Sequence, residues 1–367
     1  MTEASHSALP PGSVIGILGG GQLGRMLALS AAELGFVCHI FAPEGDNPAF
    51  DVAARHTAAP YEDHEALSRF ADDIDVVTFE FENIPDACLA FLKERLPVRP
   101  GVSVLSTTQD RIDEKQLAQS LGIKVPPFAA INNLDDLEKA VTDIGVPAVL
   151  KTRRFGYDGK GQTIIRSDSD LAQSFKEIGE QPAILEAFVP FEMEVSVVAA
   201  RDLSGNLAVY DIPCNHHQNH ILHTSTVPAD VSPTTARQAA QIAKQLAEAM
   251  DYVGVFAVEL FVVGTGNEQY LMMNEIAPRV HNSGHWTSDA CHVSQFEQHI
   301  RAITGLPLAD PVRHSDAVMT NLLGKDALDI TDLARQSGVC IHLYGKQSAR
   351  DGRKMGHVTQ LTSLKSR

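Results

Sequence analysis

Short apolar segments alternate with amphipathic ones along the first hundred residues, and this alternation predicts strands followed by helices. Ser13 to Leu18 is typical of a buried strand, and a similar segment runs from Phe36 to Phe41. Between them, Met26 to Leu34 is rich in good helix formers and ends at Gly35. Asp75 to Phe81 predicts a third strand. This order is typical of a parallel sheet covered by helices, a Rossmann-like arrangement.

The rest of the chain has a different order, with two helices before a glycine-rich hairpin and longer apolar strands after it. This mixture predicts α/β and α+β units in one chain. The predicted helices are Arg111 to Leu121, Leu134 to Ile144, Ser169 to Ile178 and Thr234 to Met250. The predicted strands are Ala183 to Val189, Glu194 to Ala200 and Val253 to Val263, together with the two strands of the hairpin between Ala148 and Ile165.

Charge and cysteine content exclude several classes of partner. The chain has 367 residues, 44% hydrophobic and 21% charged, as expected for a globular protein of two or three domains. Its net charge of −16 argues against nucleic acid or an anionic membrane surface as the main partner. The five cysteines form no CxxC pair, and no apolar segment reaches the roughly 20 residues of a membrane span. Residues 1–12 lack the features of a signal peptide, so we expect a cytoplasmic protein that binds small molecules.

The hairpin loop combines glycines with four cations, Lys151, Arg153, Arg154 and Lys160. Glycines allow the backbone to approach a ligand closely, and clustered cations attract phosphate oxygens. The pattern is not a P-loop, because it contains no Gly-Lys-Ser/Thr and is followed by a predicted strand. It predicts a nucleotide phosphate site, although a basic hairpin with an incidental glycine-rich loop would have the same composition.

A second glycine motif lies directly after the first predicted strand. Gly19, Gly21 and Gly24 satisfy G-x-G-x-x-G before a helix, which is the context of a dinucleotide site. Such a site also has an acid at the end of the second strand, whereas here Pro43 has already turned the chain before Glu44. We therefore favour a Rossmann-like domain without a nicotinamide cofactor and keep a nicotinamide-dependent oxidoreductase as an alternative.

Acidic residues occur where several predicted strands would otherwise be apolar. Glu80 and Glu82 would share one face at the carboxyl end of the third strand, where they could bind a polyol or amine or be solvated. Glu259 and Glu275 would lie at similar heights on an antiparallel pair of strands. Burial of an isolated carboxylate is costly, so each needs a partner. Two carboxylates without a soft ligand favour Mg²⁺ held partly by substrate phosphates, with ion pairs to arginines as the alternative.

Histidine-rich and basic segments complete the candidate chemistry. Zinc is an alternative at His216, His217, His220 and His223, but we disfavour it because Cys214 is the only nearby residue that could complete the set. The segments Arg279 to Thr287 and Gly352 to His357 place cations beside glycines. Together they predict anion binding in an otherwise acidic protein.

Together these segments resemble a known family. A glycine-rich hairpin and two metal-binding acids downstream of a Rossmann-like domain are similar to the ATP-grasp superfamily. Within it, GGGQLGRM, RRFGYDGKGQ, NEIAPRVHNSGHWT and GRKMGH closely resemble the 5-(carboxyamino)imidazole ribonucleotide synthetases of purine biosynthesis, over nearly the whole chain. The resemblance implies a Rossmann-like domain over 1–106, an ATP-grasp domain over 107–312 with a small lid subdomain at about 123–186, and a small β-rich C-terminal domain over 313–367.

The resemblance also implies an ATP-dependent carboxylating ligase. ATP would phosphorylate bicarbonate to carboxyphosphate, and the amine of aminoimidazole ribonucleotide would take up the carboxyl group. Glu259 and Glu275 would bind Mg²⁺, with Mn²⁺ as a possible substitute, and a homodimer is expected. Because carboxyphosphate is readily lost to water, a closing lid is expected at Arg153 to Gly161.

The resemblance assigns further roles residue by residue. The residues carried over to ATP are Arg111, Lys151, Gly156, Tyr157, Asp158, Gly159, Lys160, Gly161, Gln162, Glu186, Ala187, Phe188, Val189, Glu194, His217, Asn274 and Glu275, with Glu186 to Val189 lining the adenine through backbone groups. Those carried over to aminoimidazole ribonucleotide are Gln22, Glu80, Tyr157, Asp158, Asn282, Ser283, Lys346 and Arg353. The catalytic set is Asp158 at the amine, with Arg279, His281 and Lys354 around bicarbonate and carboxyphosphate.

Two further alternatives share the phosphate loop and the acidic pair. An ATP-grasp ligase for a formate, amino acid or peptide substrate is disfavoured by RVHNSGHWT and GRKMGH. A non-catalytic nucleotide sensor is disfavoured because sensing requires no carboxyphosphate site.

Overall fold

The structure is a computed structural model that describes residues 7–156 and 159–364. Its helices are α1 Gln22–Glu33, α2 His64–Asp72, α3 Asp86–Lys93, α4 Val102–Gln109, α5 Arg111–Ser120, α6 Leu134–Ile144, α7 Leu171–Glu177, α8 Pro233–Ala249, α9 Thr287–Ala290, α10 Gln295–Thr304 and α11 Thr331–Ala334. Its strands are β1 Val14–Leu18, β2 Val37–Ala42, β3 Arg55–Ala58, β4 Val76–Phe79, β5 Phe128–Ile131, β6 Ala148–Thr152, β7 Gln162–Ile165, β8 Ala183–Ala187, β9 Met193–Arg201, β10 Leu207–Val209, β11 Cys214–Gln218, β12 Ile221–Val227, β13 Gly254–Val263, β14 Tyr270–Ala277, β15 Asp316–Leu323, β16 Val339–Leu343 and β17 Lys354–Thr362.

The N-terminal sheet is parallel, in the order β3-β2-β1-β4. This confirms the predicted Rossmann-like arrangement. Helix α1 begins at Gln22, directly after the glycine turn, and not at Met26 as predicted. Strand β3 is not predicted by the sequence, because its residues are polar and mostly exposed and give no apolar pattern.

Strand β4 ends at Phe79, two residues before the predicted end. The side chain of Glu80 turns back toward the glycine turn, where it accepts hydrogen bonds from the backbone N–H groups of Gly21 and Gly24. The argument that Glu80 and Glu82 share one face of a strand is therefore wrong, since both acids lie beyond the strand.

A small antiparallel sheet has the order β5-β8-β6-β7. It contains the predicted glycine-rich hairpin, in which Lys151 is paired with Gln162. Helices α6 and α7 cover the sheet and share its core. Helix α6 has the predicted bounds, because the side chain of Asn133 accepts a hydrogen bond from the N–H of Asp136 and Gly145 (φ +87°) ends the helix.

Within the described residues, a large sheet of nine strands contains the rest of the β structure. Its order is β14-β13-β9-β11-β12-β15-β17-β16, and β10 pairs with β9. The C-terminal segment is β-rich as predicted, but its strands extend the central sheet through the pairing of β12 with β15. The C-terminal strands and the central strands therefore form one hydrogen-bonded sheet.

The N-terminal sheet and the large sheet share one hydrophobic core. This core contains Ile15 and Ile17 of β1, Leu27 of α1, Val198 of β9, Val255 of β13 and Ile300 of α10. Helix α10 therefore joins the two sheets, while α8 covers the opposite face of the large sheet. No helix among the described residues is long and apolar enough to cross a membrane.

Candidate active site

A cavity of ≈ 1210 Å³ lies where the three sheets meet. It exceeds the roughly 300–1,000 Å³ of a typical small-molecule pocket, so it has room for more than one substrate. The predicted site residues that line it are Gln22, Glu80, Arg111, Lys151, Gly156, Gly159, Lys160, Gln162, Glu194, His217, Glu259, Asn274, Glu275, Arg279, His281, Asn282, Lys346, Arg353 and Lys354. Tyr157 and Asp158 lie outside the described residues.

Glu259 of β13 and Glu275 of β14 lie directly opposite each other, which confirms the prediction that the two acids lie at similar heights on an antiparallel pair. Burial and the neighbouring Glu275 raise the pKa of Glu259 to about 7. Burial would also raise the pKa of Glu275, but Arg111 donates a hydrogen bond to it at 2.8 Å and, with Lys151, lowers that pKa to about 2. Glu275 thus forms an ion pair with Arg111, whereas Glu259 faces a like charge.

The donor set between these strands fits a hard divalent cation. Both carboxylates face the cavity, and Asn274 donates a hydrogen bond to Glu259 at 3.3 Å, which leaves its amide oxygen directed toward Lys151 at 3.4 Å. All of the available ligands are oxygens, as Mg²⁺ requires. A cation would also relieve the repulsion that raises the pKa of Glu259.

Glu186 is almost fully buried and forms ion pairs with two lysines. It accepts a hydrogen bond from Lys151 at 2.9 Å and lies 3.5 Å from the ammonium group of Lys115. Although burial alone would raise the pKa of Glu186, the two lysines lower it to about 2. The side chain of Glu186 therefore orients Lys151, and the expected adenine contact is left to the backbone of this segment.

That backbone is only partly available to an adenine. The N–H of Ala187 donates to the carbonyl of Pro127 at 2.8 Å, and the N–H of Phe188 donates to the carbonyl of Pro147 at 3.2 Å. The expected adenine contact of Glu186 to Val189 therefore rests on the remaining backbone groups of the segment and stays a prediction.

Helix α5 holds strand β14 next to Glu275 through two residues that the sequence reasoning missed. Lys115, fully buried, donates hydrogen bonds to the carbonyls of Asn274 at 2.6 Å and Met273 at 3.3 Å. Glu114 accepts a hydrogen bond from the N–H of Ile276. A signal was present, because Lys115 follows Arg111 by one helical turn on a helix whose neighbouring positions are buried.

The loop glycines are required by close contacts. At Gly161 (φ +72°) a Cβ atom would lie 2.7 Å from the hydroxyl of Thr152, and at Gly159 (φ +76°) one would lie 2.4 Å from Cβ of His220. The loop thus packs against the turn between β11 and β12. Gly161 is not among the cavity-lining residues, so its role is to shape the loop.

The histidine-rich segment forms the β11–β12 hairpin, and His217 pairs with Glu194 at the cavity wall. Burial would lower the pKa of His217, but Glu194 raises it above its usual value. His216 points away from the cavity into solvent. Within the described parts of the chain, none of the four histidines belongs to a convergent group of three metal-binding side chains.

The first glycine motif accommodates a carboxylate. The N–H of Gly21 donates to Glu80 at 2.8 Å and that of Gly24 donates at 3.2 Å. A Cβ atom on Gly19 would lie 2.6 Å from the Glu80 side chain. A dinucleotide pyrophosphate would need these same N–H groups, so the turn argues against a nicotinamide site.

Arg279 and His281 form a cationic and polar corner of the cavity. Arg279 makes a two-pronged ion pair with Glu82, with one contact of 2.9 Å. Burial and the charge of Arg279 lower the pKa of His281 to about 3, so its ring is neutral, and its Nε2 lies 3.4 Å from Glu259. Ser283 is fully buried and lies 2.8 Å from Nδ1 of His281. Its hydroxyl also lies 2.7 Å from that of Ser196, so both partners of this hydroxyl are protein side chains, and the predicted substrate contact of Ser283 stays a prediction.

The C-terminal loop brings four cations to the cavity, Lys346, Arg350, Arg353 and Lys354, and contacts the N-terminal domain. Arg353 forms an ion pair with Asp46 at 2.9 Å, a partner that the sequence does not reveal. Lys346 donates a hydrogen bond to the carbonyl of Lys354 at 2.7 Å. Burial, followed by the charge of Arg353, lowers the pKa of Lys346 to about 8.

Asn282 lines the cavity, but its amide is committed elsewhere. It exchanges two hydrogen bonds with Asn321 of β15, at 3.0 and 2.7 Å. Its predicted substrate contact is therefore restricted to its backbone or to a rearranged side chain.

Family models match three consecutive parts of the chain. The ribonucleotide synthetase preATP-grasp domain matches residues 13–109, the ATP-grasp domain residues 116–296, and the phosphoribosylaminoimidazole carboxylase C-terminal domain residues 317–366. The chain is 48% identical to an N5-carboxyaminoimidazole ribonucleotide synthase of Brucella melitensis, over 97% of this chain and 98% of the relative. The chain belongs to the N5-carboxyaminoimidazole ribonucleotide synthase family.

Solved structures of this synthase family have the same fold. A crystal structure of an ADP complex of an N5-carboxyaminoimidazole ribonucleotide synthetase is 42% identical, with a TM-score of 0.93 over 97% of this chain and 94% of that chain. An Aspergillus clavatus synthase in complex with ADP and 5-aminoimidazole ribonucleotide is 28% identical, with a TM-score of 0.89 over 96% of this chain and 94% of that chain. The resemblance and the fold class predicted from the sequence are confirmed.

Proposed function

We propose that this chain catalyses the reaction of its family, the ATP- and bicarbonate-dependent carboxylation of aminoimidazole ribonucleotide to 5-(carboxyamino)imidazole ribonucleotide. The chemistry has two parts. The γ-phosphoryl group of ATP passes to an oxygen of bicarbonate, which yields ADP and carboxyphosphate. The exocyclic amine then forms a bond to the carboxyl carbon, and phosphate and a proton leave.

The observation that carries the proposal is the composition of one cavity. The opposed carboxylates Glu259 and Glu275 face the same space as Lys151 on one side and Arg279 with Lys354 on the other. A protein that only binds a nucleotide needs the carboxylates and Lys151, but it does not need Arg279 and Lys354. These two cations support a reaction in which an anion is activated beside the ATP phosphates.

At the nucleotide end, Lys151 and Arg111 would neutralise ATP phosphates. Both cations are already oriented, Lys151 by Glu186 and Arg111 by Glu275, so little reorganisation is needed when ATP binds. Glu194, paired with His217, would accept hydrogen bonds from the ribose hydroxyls.

Glu259 and Glu275, with the amide oxygen of Asn274, would hold Mg²⁺, for which Mn²⁺ could substitute. When bound there, Mg²⁺ would supply positive charge that offsets the charge developing during phosphoryl transfer.

At the opposite end, Arg279, neutral His281 and Lys354 would surround bicarbonate and carboxyphosphate. Arg353 and Lys346 lie in the C-terminal loop at the cavity edge, where they would bind the phosphate of the ribonucleotide. Glu80 and Gln22 line the N-terminal wall and would contact the rest of that substrate. For Tyr157 and Asp158 the proposal rests on the family resemblance.

Several further features belong to the proposal. We infer a homodimer and a cytoplasmic location from the family resemblance, and all five cysteines are free, as a reducing compartment requires. The domain boundaries 1–106, 107–312 and 313–367 are also proposals. They are supported by the family matches, although residue 106 lies within α4 and the true linker is closer to the Gln109–Arg111 junction of α4 and α5.

The test is ADP release in the presence of Mg²⁺, ATP and aminoimidazole ribonucleotide, with bicarbonate either stripped out or added. Release that requires both bicarbonate and the ribonucleotide, with one labelled carboxyl group incorporated per ADP, is the expected result. ADP release that needs neither would mean an uncoupled ATPase and would contradict the proposal. ATP binding without turnover in any mixture would favour a sensor.

The metal assignment predicts that Glu275→Gln keeps the fold but lowers turnover by at least about 100-fold, because a charged oxygen facing the phosphates is lost. Glu268→Gln, an exposed change in the turn between β13 and β14, is the matched control and should retain the wild-type rate. The measurement is steady-state ADP release, with thermal unfolding of both variants. Wild-type turnover in Glu275→Gln would remove Glu275 from the metal site.

A further inference from the structure

A cluster of metal-binding side chains lies outside the cavity, between α9 and the C-terminal hairpin of β16 and β17. Asp289 of α9, His342 of β16 and His357 of β17 each offer one ligand atom, and these atoms all lie within 4.8 Å of one another. Nε2 of His342 is 2.9 and 3.0 Å from the two carboxylate oxygens of Asp289. None of the three residues lines the cavity or enters the proposed reaction.

The strand register places the two imidazoles on one face. His342 and His357 are directly paired across the antiparallel strands, and so are Cys340 and Thr359 two positions away. Because side chains two residues apart on a strand project to the same side, Cys340 shares the face of the histidines. Burial and the neighbouring Asp289 carboxylate raise the pKa of the Cys340 thiol, which places that thiol beside the carboxylate.

The imidazole of His357 has one nitrogen without a partner. The ring is fully buried, its Nδ1 lies 2.9 Å from the hydroxyl of Tyr344, and its Nε2 has no hydrogen-bond partner among the described residues. A buried polar nitrogen without a partner costs free energy. A metal ion bound at Nε2 would satisfy it, while Tyr344 would accept a hydrogen bond from Nδ1, as the outer partners of metal-bound histidines do.

We propose that Asp289, His342 and His357 bind a divalent transition-metal ion of the zinc class, with Cys340 available as a fourth ligand. Two imidazoles and a carboxylate are ligands of this class of ion. This site differs in donor type from the all-oxygen pair at Glu259 and Glu275.

Binding requires one local rotation. The rings of His342 and His357 are stacked, with centroids 4.5 Å apart and planes 14° apart, so their nitrogens cannot both point at one ion in this rotamer. The side chain of His342 is 34% exposed and can turn about its Cβ–Cγ bond, whereas His357 is fixed by its surroundings. His342 therefore completes the site after the ion meets His357 and Asp289.

The site also touches the wall of the active-site cavity. The ring of His285 lies 4.8 Å from that of His357 and itself lines the cavity. An ion at the cluster would thus fix α9 against β16 and β17 directly behind the bicarbonate corner. Its first expected effect is on stability, because it binds only the folded arrangement.

The experiment is a Co²⁺ titration of the full-length protein in saturating Mg²⁺, which occupies the all-oxygen site. We expect one Co²⁺ per chain, with the intense visible absorption of a tetrahedral or five-coordinate ion, and displacement by Zn²⁺. His342→Gln and Asp289→Asn should each weaken binding by at least about tenfold. In the wild type Zn²⁺ should raise the unfolding temperature, and in these variants it should not.

The matched control uses another pair of histidines. His292 and His314 have ring centroids 5.3 Å apart at the surface near α9, so His292→Gln removes an imidazole of similar setting and should leave Co²⁺ binding unchanged. His342→Gln is chosen because its partly exposed side chain can be lost without unfolding the hairpin, and circular dichroism checks this. Absence of stoichiometric Co²⁺ binding in the wild type, or equal binding by His342→Gln and the wild type, would overturn the proposal.

Discussion

Lys115 is a cation with no solvent exposure, and all of its contacts hold parts of the active site in place. Its ammonium group lies between Glu186, which orients Lys151, and the carbonyls of β14 that precede Glu275. Burial lowers the pKa of Lys115, and Glu186 opposes that shift. Glu186, and to a smaller extent Glu114, therefore offset part of the cost of burying this ammonium group.

Lys115→Met is expected to lower the free energy of unfolding by about 3–5 kcal/mol, because it leaves two buried carbonyls without their donor and Glu186 with Lys151 as its one remaining ion-pair contact. Urea denaturation measures the change. Lys139→Met, on the exposed face of α6, is the control and should change stability by no more than about 0.5 kcal/mol. In the double variant Lys115→Met/Glu186→Gln part of the loss should be recovered, and strict additivity of the two changes would contradict the coupling.

Lys346 gives the active site a dependence on pH. Because its pKa is lowered to about 8, the ammonium group is present below pH 8 and is lost as the pH rises through that value. We expect KM for aminoimidazole ribonucleotide to rise above pH 8 while KM for ATP does not follow the same curve. In Lys346→Met, KM for the ribonucleotide should be high and independent of pH over this range. A pH-dependent KM in that variant would assign the titration to another group.

At the scale of single elements, the hairpin of β6 and β7 depends on its glycines for shape. Gly161 and Gly122 have almost the same φ, +72° and +73°, but a Cβ atom would meet Thr152 at Gly161 and nothing within 4 Å at Gly122. An alanine at Gly122 would therefore test backbone strain alone, whereas an alanine at Gly161 would test strain together with a close contact.

Gly161→Ala is expected to raise KM for ATP by about tenfold or more, which corresponds to about 1.4 kcal/mol, because the loop must move away from Thr152. Gly122→Ala should cost about 1–2 kcal/mol of stability with no change in KM. Steady-state kinetics and urea denaturation of both variants measure the two effects. Equal KM changes would show that strain alone is responsible.

The elements also show what the sequence can predict. Helix α6 is predicted with its observed bounds, since Asn133 and Gly145 are local signals that act within a few residues. Strands β11 and β12 are not predicted, because CNHHQ and ILHTSTV lack a continuous apolar pattern and a bulge between His216 and His217 interrupts the alternation. Their strand character comes from pairing with β9 and β15, which are distant in sequence.

At the scale of the whole molecule, the main difference from the sequence-based prediction is that the C-terminal strands belong to the same sheet as the central strands. The family resemblance implies β structure in the last fifty residues, but nothing local to Asp316–Leu323 indicates that it will pair with β12. The same holds for the candidate site. The opposed acids follow from one hairpin and can be predicted, whereas the contacts of Lys115 with β14 and of Arg353 with Asp46 join segments more than 150 residues apart.

The continuous sheet predicts a single cooperative unit. Amide hydrogen exchange of the intact protein should give the central strands β9 and β13 and the C-terminal strands β15 and β17 similar, slow exchange, because opening β15 also breaks its pairing with β12. Much faster exchange of β15 and β17 than of β9 would instead show that the C-terminal segment opens independently.

The order of strands in the large sheet also requires it to be strongly curved. From β13, which carries Glu259, to β17, which begins at Lys354, there are five strand steps, an arc of about 24 Å at roughly 4.8 Å per step. Both side chains nevertheless line one cavity, so the sheet must bend around the substrates like a trough. A trough built from hydrogen-bonded strands has fixed walls. Within the described residues, the small sheet that carries Lys151 forms no strand pair with the large sheet, so we expect it to be the part that moves as a cover.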